Sequence, residues 1–244
     1  MPLTSFLKPP TQRLNRNRFP RGLKEIPSPP SQLYCVGQLD ICLGPKIAMV
    51  GSRAASWQGL QFAEALAGQL AALGFVVVSG LARGIDAASH RGALAVGGKT
   101  IAVLGQGCDL VYPKQNQALY QEVVREGLLV SEYPDGTGPK PYHFPARNRI
   151  ITGLCDALIV VEARTRSGSL ISAKSALAQG REVFAVPGPV VAGAASGCHE
   201  LIREGAHLLD SITDLFREMP QLFQHVQPIH CLLYTSPSPR DVEE

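Results

Sequence analysis

The sequence predicts an α/β fold: a doubly wound, mostly parallel sheet with helices on both faces. Three observations predict it. Apolar runs such as Ile47-Ala48-Met49-Val50, Phe75-Val76-Val77-Val78 and Ala157-Leu158-Ile159-Val160-Val161 are continuous rather than alternating, as expected of strands buried on both faces. Segments of helical periodicity separate them. Each run ends in Gly, Ser, Glu or Arg, and ligands of such sheets bind beyond the carboxyl ends of the strands.

The elements follow in order. Residues 46–50 read as a strand. Residues 59–73 read as a helix with Leu60, Ala63, Leu66, Ala67 and Leu70 on one face and Gly74 as its stop. A strand at 75–78, a small-residue helix at 87–97 and a strand at 100–104 follow. Next come a helix at 115–126, a short strand at 128–130 and a helix beginning at Asn148 and running to 154. Strand 157–161, helix 172–179, strand 182–186 and closing helices at 197–204 and 212–219 complete a Rossmann-like domain over 33–219. Residues 1–32 read as an irregular basic lead-in: Lys8, Arg13, Arg16, Arg18, Arg21 and Lys24 occur with no acidic residue before position 25, and Pro27, Pro29 and Pro30 close the segment. It is a solvated arm or a phosphate contact. Residues 220–244 form a tail. From about Cys231 it resembles translated sequencing-adapter sequence and is expected to be non-native.

Composition narrows the function classes. A chain of 244 residues, 45% hydrophobic, supports a large core. A net charge of +3 is too small to name a nucleic-acid partner by itself. Six cysteines without CxxC spacing indicate neither a disulfide framework nor a zinc site. No secretory or membrane-spanning run is evident, so a cytoplasmic setting is expected. The six histidines form no HExxH or HxH, and neither a P-loop nor a GxSxG elbow is present. Glycines at 80 and 84 do not make GxGxxG, which argues against a dinucleotide. No cofactor and no metal are expected.

The candidate binding residues lie at the strand ends. Gly51-Ser52-Arg53 can cradle an anion: glycine admits close approach, serine donates a hydroxyl, and arginine offers a fork that fits phosphate. Ser79, Gly80 and Arg83 follow the next strand, with Asp86 read as the cap of the helix near Ala87. Lys114 follows the third. Lys140 lies on the approach to Phe144-Pro145-Ala146-Arg147-Asn148-Arg149, which sets a ring beside two guanidinium groups. Phe144 is a candidate for base stacking. Arg147 and Arg149 are candidates for phosphate, with one of them open to pairing with a carboxylate such as Glu162. Asn148 is read as a helix cap. Ser167 and Gly168 close the set, as caps or phosphate ligands.

These motifs in this order resemble the DprA/Smf family over about residues 33 to 219. The resemblance implies a protein that is not an enzyme: it binds single-stranded DNA, takes part in natural transformation, protects incoming strands and helps load RecA as a homodimer. It implies a DNA contact at Arg53. It also leads one to expect a small helical domain ahead of the sheet and a winged-helix-like domain behind it, for which this chain has no room, as in a truncated gene product or a short variant. The alternative is a nucleotide or nucleoside-monophosphate hydrolase of the LOG type on the same sheet. Its PGGxGTxxE pattern is absent, and Glu162 precedes the glycine loop instead of following it. A third reading is a regulatory binder of a small nucleotide.

Overall fold

Seven parallel strands form the centre of the sheet in this computed structural model, which describes residues 10–191 and 193–224. They are β3 (Lys46–Val50), β4 (Val76–Ser79), β5 (Thr100–Leu104), β6 (Leu128–Ser131), β7 (Ala157–Val160), β8 (Glu182–Ala185) and β9 (His207–Leu208). Two earlier strands, β1 (Gln12–Asn15) and β2 (Gln32–Gly37), add antiparallel to the edge beside β6. The order is β1-β2-β6-β5-β4-β3-β7-β8-β9. The chain builds outward from β3 through β6 and then returns to lay β7 on the other side of β3, in register from Ile47 opposite Ala157 to Val50 opposite Val160. The β3/β7 border is therefore the topological switch point, where an open α/β sheet leaves a crevice.

Continuous apolar strands are needed because both faces are covered. Ala48, Val50, Val103, Leu158 and Val160 face one core, against Leu23 of α1 (Arg21–Lys24), Ile150, Ile151 and Leu154 of α5 (His143–Leu154), Ala173 of α6 (Ser169–Ala178) and Leu201 of α7 (Ser196–Arg203). Ile47, Met49, Val77 and Ile159 face a second core. It contains Ala63, Leu66 and Leu70 of α2 (Trp57–Ala72), Ile85 and Ala88 of α3 (Ile85–Ala95) and Leu215 of α8 (Ile212–Glu218). A third cluster packs Leu119, Tyr120 and Val123 of α4 (Gln117–Glu126) on Val36, Leu104 and Leu129. Of the five cysteines described, Cys35, Cys108, Cys155 and Cys198 are buried and Cys42 is half-buried, all as free thiols.

Three sequence expectations change. The lead-in is not wholly irregular: Gln12–Asn15 pairs with Gln32–Gly37, Leu14 facing Leu33. Only Leu14 of that strand is buried, so the edge carries no apolar run to read. Helix α5 begins at His143 rather than 148, which places Pro145 in the first turn, where the backbone N–H has no intrahelical partner to lose. Asn148 is thus in mid-helix and caps nothing. Asp86 is likewise inside α3, whose N-cap is Gly84 at φ 75°; its carboxylate reaches back to accept from the N–H of Ala82 at 3.4 Å. The tail read as non-native, and the first nine residues of the basic arm, lie outside the described residues.

Candidate nucleic-acid interface

A cleft of about 820 Å³ opens at the switch point. One wall is the loop after β3, with Gly51, Ser52, Arg53 and Ala54. Opposite it runs the loop after β7, with Arg164, Arg166, Ser167 and Gly168, leading into Ser169 and Ser172 of α6. Phe144, Arg147 and Asn148 of α5 and the ring of Tyr112 complete the lining. A smaller lobe of about 150 Å³ shares Arg53, Tyr112, Phe144 and Arg147 and adds Gly80, Arg83, Gln106 and Gln115.

Backbone bonds hold the two walls together. Ser52 N–H donates to the Glu162 carbonyl at 2.7 Å, and Ile85 N–H donates to the Ser52 carbonyl at 3.2 Å. Ser56, the N-cap of α2, donates to the Glu162 carboxylate through its N–H at 3.1 Å and its hydroxyl at 2.5 Å. The same hydroxyl accepts from Gly59 N–H at 3.1 Å. The Glu162 carboxylate, buried at 7% exposure, is thus committed to the start of α2 and is not among the cleft's lining residues. That is a structural post, not the position of a catalytic base.

The rim combines cations and rings. Arg53 is exposed and its guanidinium lies 5.4 Å from the centroid of Phe144. Tyr112 and Phe144 sit 5.5 Å apart, tilted by 33°. Arg164 and Arg166 are exposed on the facing loop. Beside them, Ser169 N–H donates to the Ser167 hydroxyl at 3.3 Å, and the two hydroxyls pair at 2.7 Å. Such a rim can neutralise phosphates and offer flat faces to bases.

Beneath the rim lie a buried arginine and a buried aspartate that feel each other's charge. Arg147 is 4% exposed, and its Nη1 donates to the Val103 carbonyl. Burial lowers its pKa to about 10, partly offset by the nearby Asp86 carboxylate. Burial pushes Asp86 upward, and Arg147 followed by the Ala82 N–H pulls it back. Gly80 explains how the arginine fits: a Cβ at this position would overlap the guanidinium of Arg147. Close approach is what this glycine supplies.

Of the residues singled out in the sequence, the cleft brings together Gly51, Ser52, Arg53, Phe144, Arg147, Asn148, Ser167 and Gly168, and the smaller lobe adds Gly80 and Arg83. Four stand apart. Ser79 is fully buried and its hydroxyl donates to the Met49 carbonyl at 2.6 Å. Arg149 faces Glu132, at 2.7 Å, and not Glu162. Lys114 is exposed next to the lining Pro113 and Gln115 without itself lining the lobe. Lys140 is exposed over the Tyr142 ring at 5.9 Å. Sequence reasoning missed Arg164, Arg166 and Tyr112. The first two directly precede Ser167-Gly168 after a strand end, the same signal that singled out Arg53.

A family model described as DNA recombination-mediator protein A matches residues 12–220. The chain belongs to this family. DNA processing protein DprA of Streptococcus pneumoniae R6 is 48% identical over 213 residues, which span 87% of this chain and 75% of that protein. The solved structure of a Streptococcus pneumoniae DprA superposes with a TM-score of 0.82 at 46% identity, over 85% of this chain and 74% of that one. A Helicobacter pylori DNA processing protein A structure, described by its single-stranded DNA binding mode, gives a TM-score of 0.81 at 30% identity, over 91% and 99% of the two chains. This chain shares the fold of those two solved proteins.

Proposed function

We propose that the cleft binds single-stranded DNA and that the chain acts in DNA uptake and recombination without catalysing a reaction. The observation that carries this reading is the juxtaposition of exposed Arg53, Arg164 and Arg166 with the half-buried Phe144 and the exposed Tyr112 across one open crevice. Cations along a groove with rings beside them hold the backbone and stack bases without reading sequence. Family membership and the single-stranded DNA binding described for the Helicobacter pylori relative support it. Within this reading Arg53, Arg164 and Arg166 take phosphates, Ser52, Ser167 and the backbone at Gly51 and Gly168 line the phosphate path, and Phe144 carries a base. Arg147 and Gly80 maintain the floor. Lys114, Lys140 and Arg83 add positive potential along the approach.

The same proposal extends to the cell. The protein shields incoming strands and helps load the RecA recombinase in the bacterial cytoplasm, as a homodimer. Exposed Leu177 on α6 and Leu208 on β9 are available to a second copy. Among the described residues no helix is long and apolar enough to cross a membrane.

The test is fluorescence anisotropy of labelled oligo-dT against matched duplex and a mononucleotide, for the wild type and Arg53→Ala. Tight, salt-sensitive binding of the single strand, weakened by Arg53→Ala, is the expected result. Absence of preference for the single strand, with turnover or tight binding of the mononucleotide, would overturn it in favour of a nucleotide enzyme or sensor.

A further inference from the structure

Trp57 is the one tryptophan of the chain and is 70% exposed at the first position of α2. Isolated apolar residues on a surface are ordinary, so exposure alone says nothing. Position does. Ala54 lines the cleft and lies three residues earlier, so the Trp57 Cα is within about 11 Å of the cleft wall along the chain. Its other neighbour is equally tied to the site: Ser56 is bonded through N–H and hydroxyl to the Glu162 carboxylate. Two residues beyond Glu162, Arg164 lines the opposite wall. The Trp57 Cα therefore lies close to the crevice wall, with its side chain in solvent, on a capped helix start that does not need to be ordered by a ligand.

We propose that Trp57 is a second stacking platform, on which a base lies as the strand leaves the cleft beside Arg164. The inference rests on the single-strand reading of the cleft and extends its track beyond Phe144 and Tyr112. Three features commit the ring to a nucleobase. The exposed cations that line the adjoining cleft, Arg53, Arg164 and Arg166, are complementary to a polyanion. Tryptophan offers the largest flat face of any side chain, and base stacking on such faces tolerates every base. Its fixed position on α2 keeps the ordering cost of the contact small.

The chain carries its own reporter, because tryptophan emission comes from Trp57 alone. Full-length protein is titrated with unlabelled oligo-dT while emission is followed, in parallel with anisotropy of labelled oligo-dT. The expected result is quenching that saturates at the same oligonucleotide concentration as anisotropy. Trp57→Ala should weaken binding roughly tenfold, and Trp57→Phe should stay within about threefold of wild type. The salt slope should be unchanged in both, since no charge is removed. An exposed position leaves folding intact, which thermal unfolding checks. Normal anisotropy with unaltered emission, or wild-type affinity in Trp57→Ala, overturns the platform and leaves the cleft standing. No oligonucleotide binding by anisotropy removes the cleft reading and the platform with it.

Discussion

Replacing Gly80 with alanine tests the buried floor of the cleft. The added methyl would occupy the place of the Arg147 guanidinium, which is 4% exposed and bonded to the Val103 carbonyl. The methyl has no alternative direction, because the backbone at residues 79–81 is anchored: Ser79 donates to Met49 O at 2.6 Å, and Asn116 Nδ2 donates to Leu81 O at 3.0 Å. Arg147 must therefore move away from Val103 and Asp86. Overpacking alone costs about 1–3 kcal/mol. Losing the charge-assisted bond from Arg147 to the Val103 carbonyl costs about 1.5–3 kcal/mol more. We expect a loss near the middle of the combined range, about 4 kcal/mol. With a urea slope of about 2 kcal/mol/M, this is a midpoint shift of roughly 2 M. The assay is equilibrium urea unfolding followed by circular dichroism for the wild type, Gly80→Ala, Arg147→Met and the double variant. Because both changes act on one space, the double variant should be less destabilised than the sum of the singles by at least about 1 kcal/mol. A Gly80→Ala midpoint within experimental error of wild type, or strict additivity with Arg147→Met, refutes the reasoning. Oligo-dT affinity should also fall in Gly80→Ala at temperatures where it remains folded, since Arg147 lines both lobes.

Other predictions follow from the same geometry. Arg164→Ala and Arg166→Ala should each weaken oligo-dT binding and reduce the log–log salt slope by about 0.7, as one phosphate contact does on a single strand; an unchanged slope removes that arginine from the track. Arg149→Met should lower thermal stability through loss of the 2.7 Å pair with Glu132 while leaving the salt slope alone, and a reduced slope would place Arg149 on the DNA after all. Acid stability should depend on His90, which is buried in α3 with Nδ1 2.6 Å from the Thr100 hydroxyl. That hydroxyl donates to Val77 O at 2.7 Å, so the imidazole proton sits on Nδ1 and Nε2 is left without a partner. Burial lowers the His90 pKa from 6.5 to about 3. The unfolded chain takes up this proton below pH 6.5 and the folded chain does not, so its contribution is complete above 6.5 and falls away as pH drops toward 3. The full span is about 5 kcal/mol. Urea unfolding from pH 7 to pH 4 should show this slope in the wild type and a shallower one in His90→Asn.

The centre of the sheet was legible because burial on both faces imposes a pattern that sequence cannot hide: Ala48 and Val50 serve one core, Ile47 and Met49 the other. The edges were not, because an edge strand needs so little. Leu14 alone is buried in β1. The start of α5 was misplaced because Pro145 reads as a break, although in a first turn it sacrifices no bond. Tyr112 belongs to the cleft only because the loop after β5 folds back over Phe144, a contact across the sheet that spacing along the chain does not encode.

Arginines were the harder case, and the structure shows why residue type at a strand end does not settle a role. Arg53, Arg147, Arg149 and Arg166 are the same chemistry in similar local contexts. Arg149 has a carboxylate within reach and pairs with it. Arg147 points into the sheet, where a glycine opposite leaves space and Asp86 supplies counter-charge. Arg53 and Arg166 have neither a carboxylate within ion-pair distance among the described residues nor such a space, and remain exposed at the crevice. What separates an exposed guanidinium here from a structural one is a carboxylate within reach or a space sized for it, both set by residues distant in sequence. The exposed guanidinium groups stay solvated and available to phosphate because the fold leaves them no internal anion. The buried Arg147 fills the floor between the two lobes and is tied to the Val103 carbonyl.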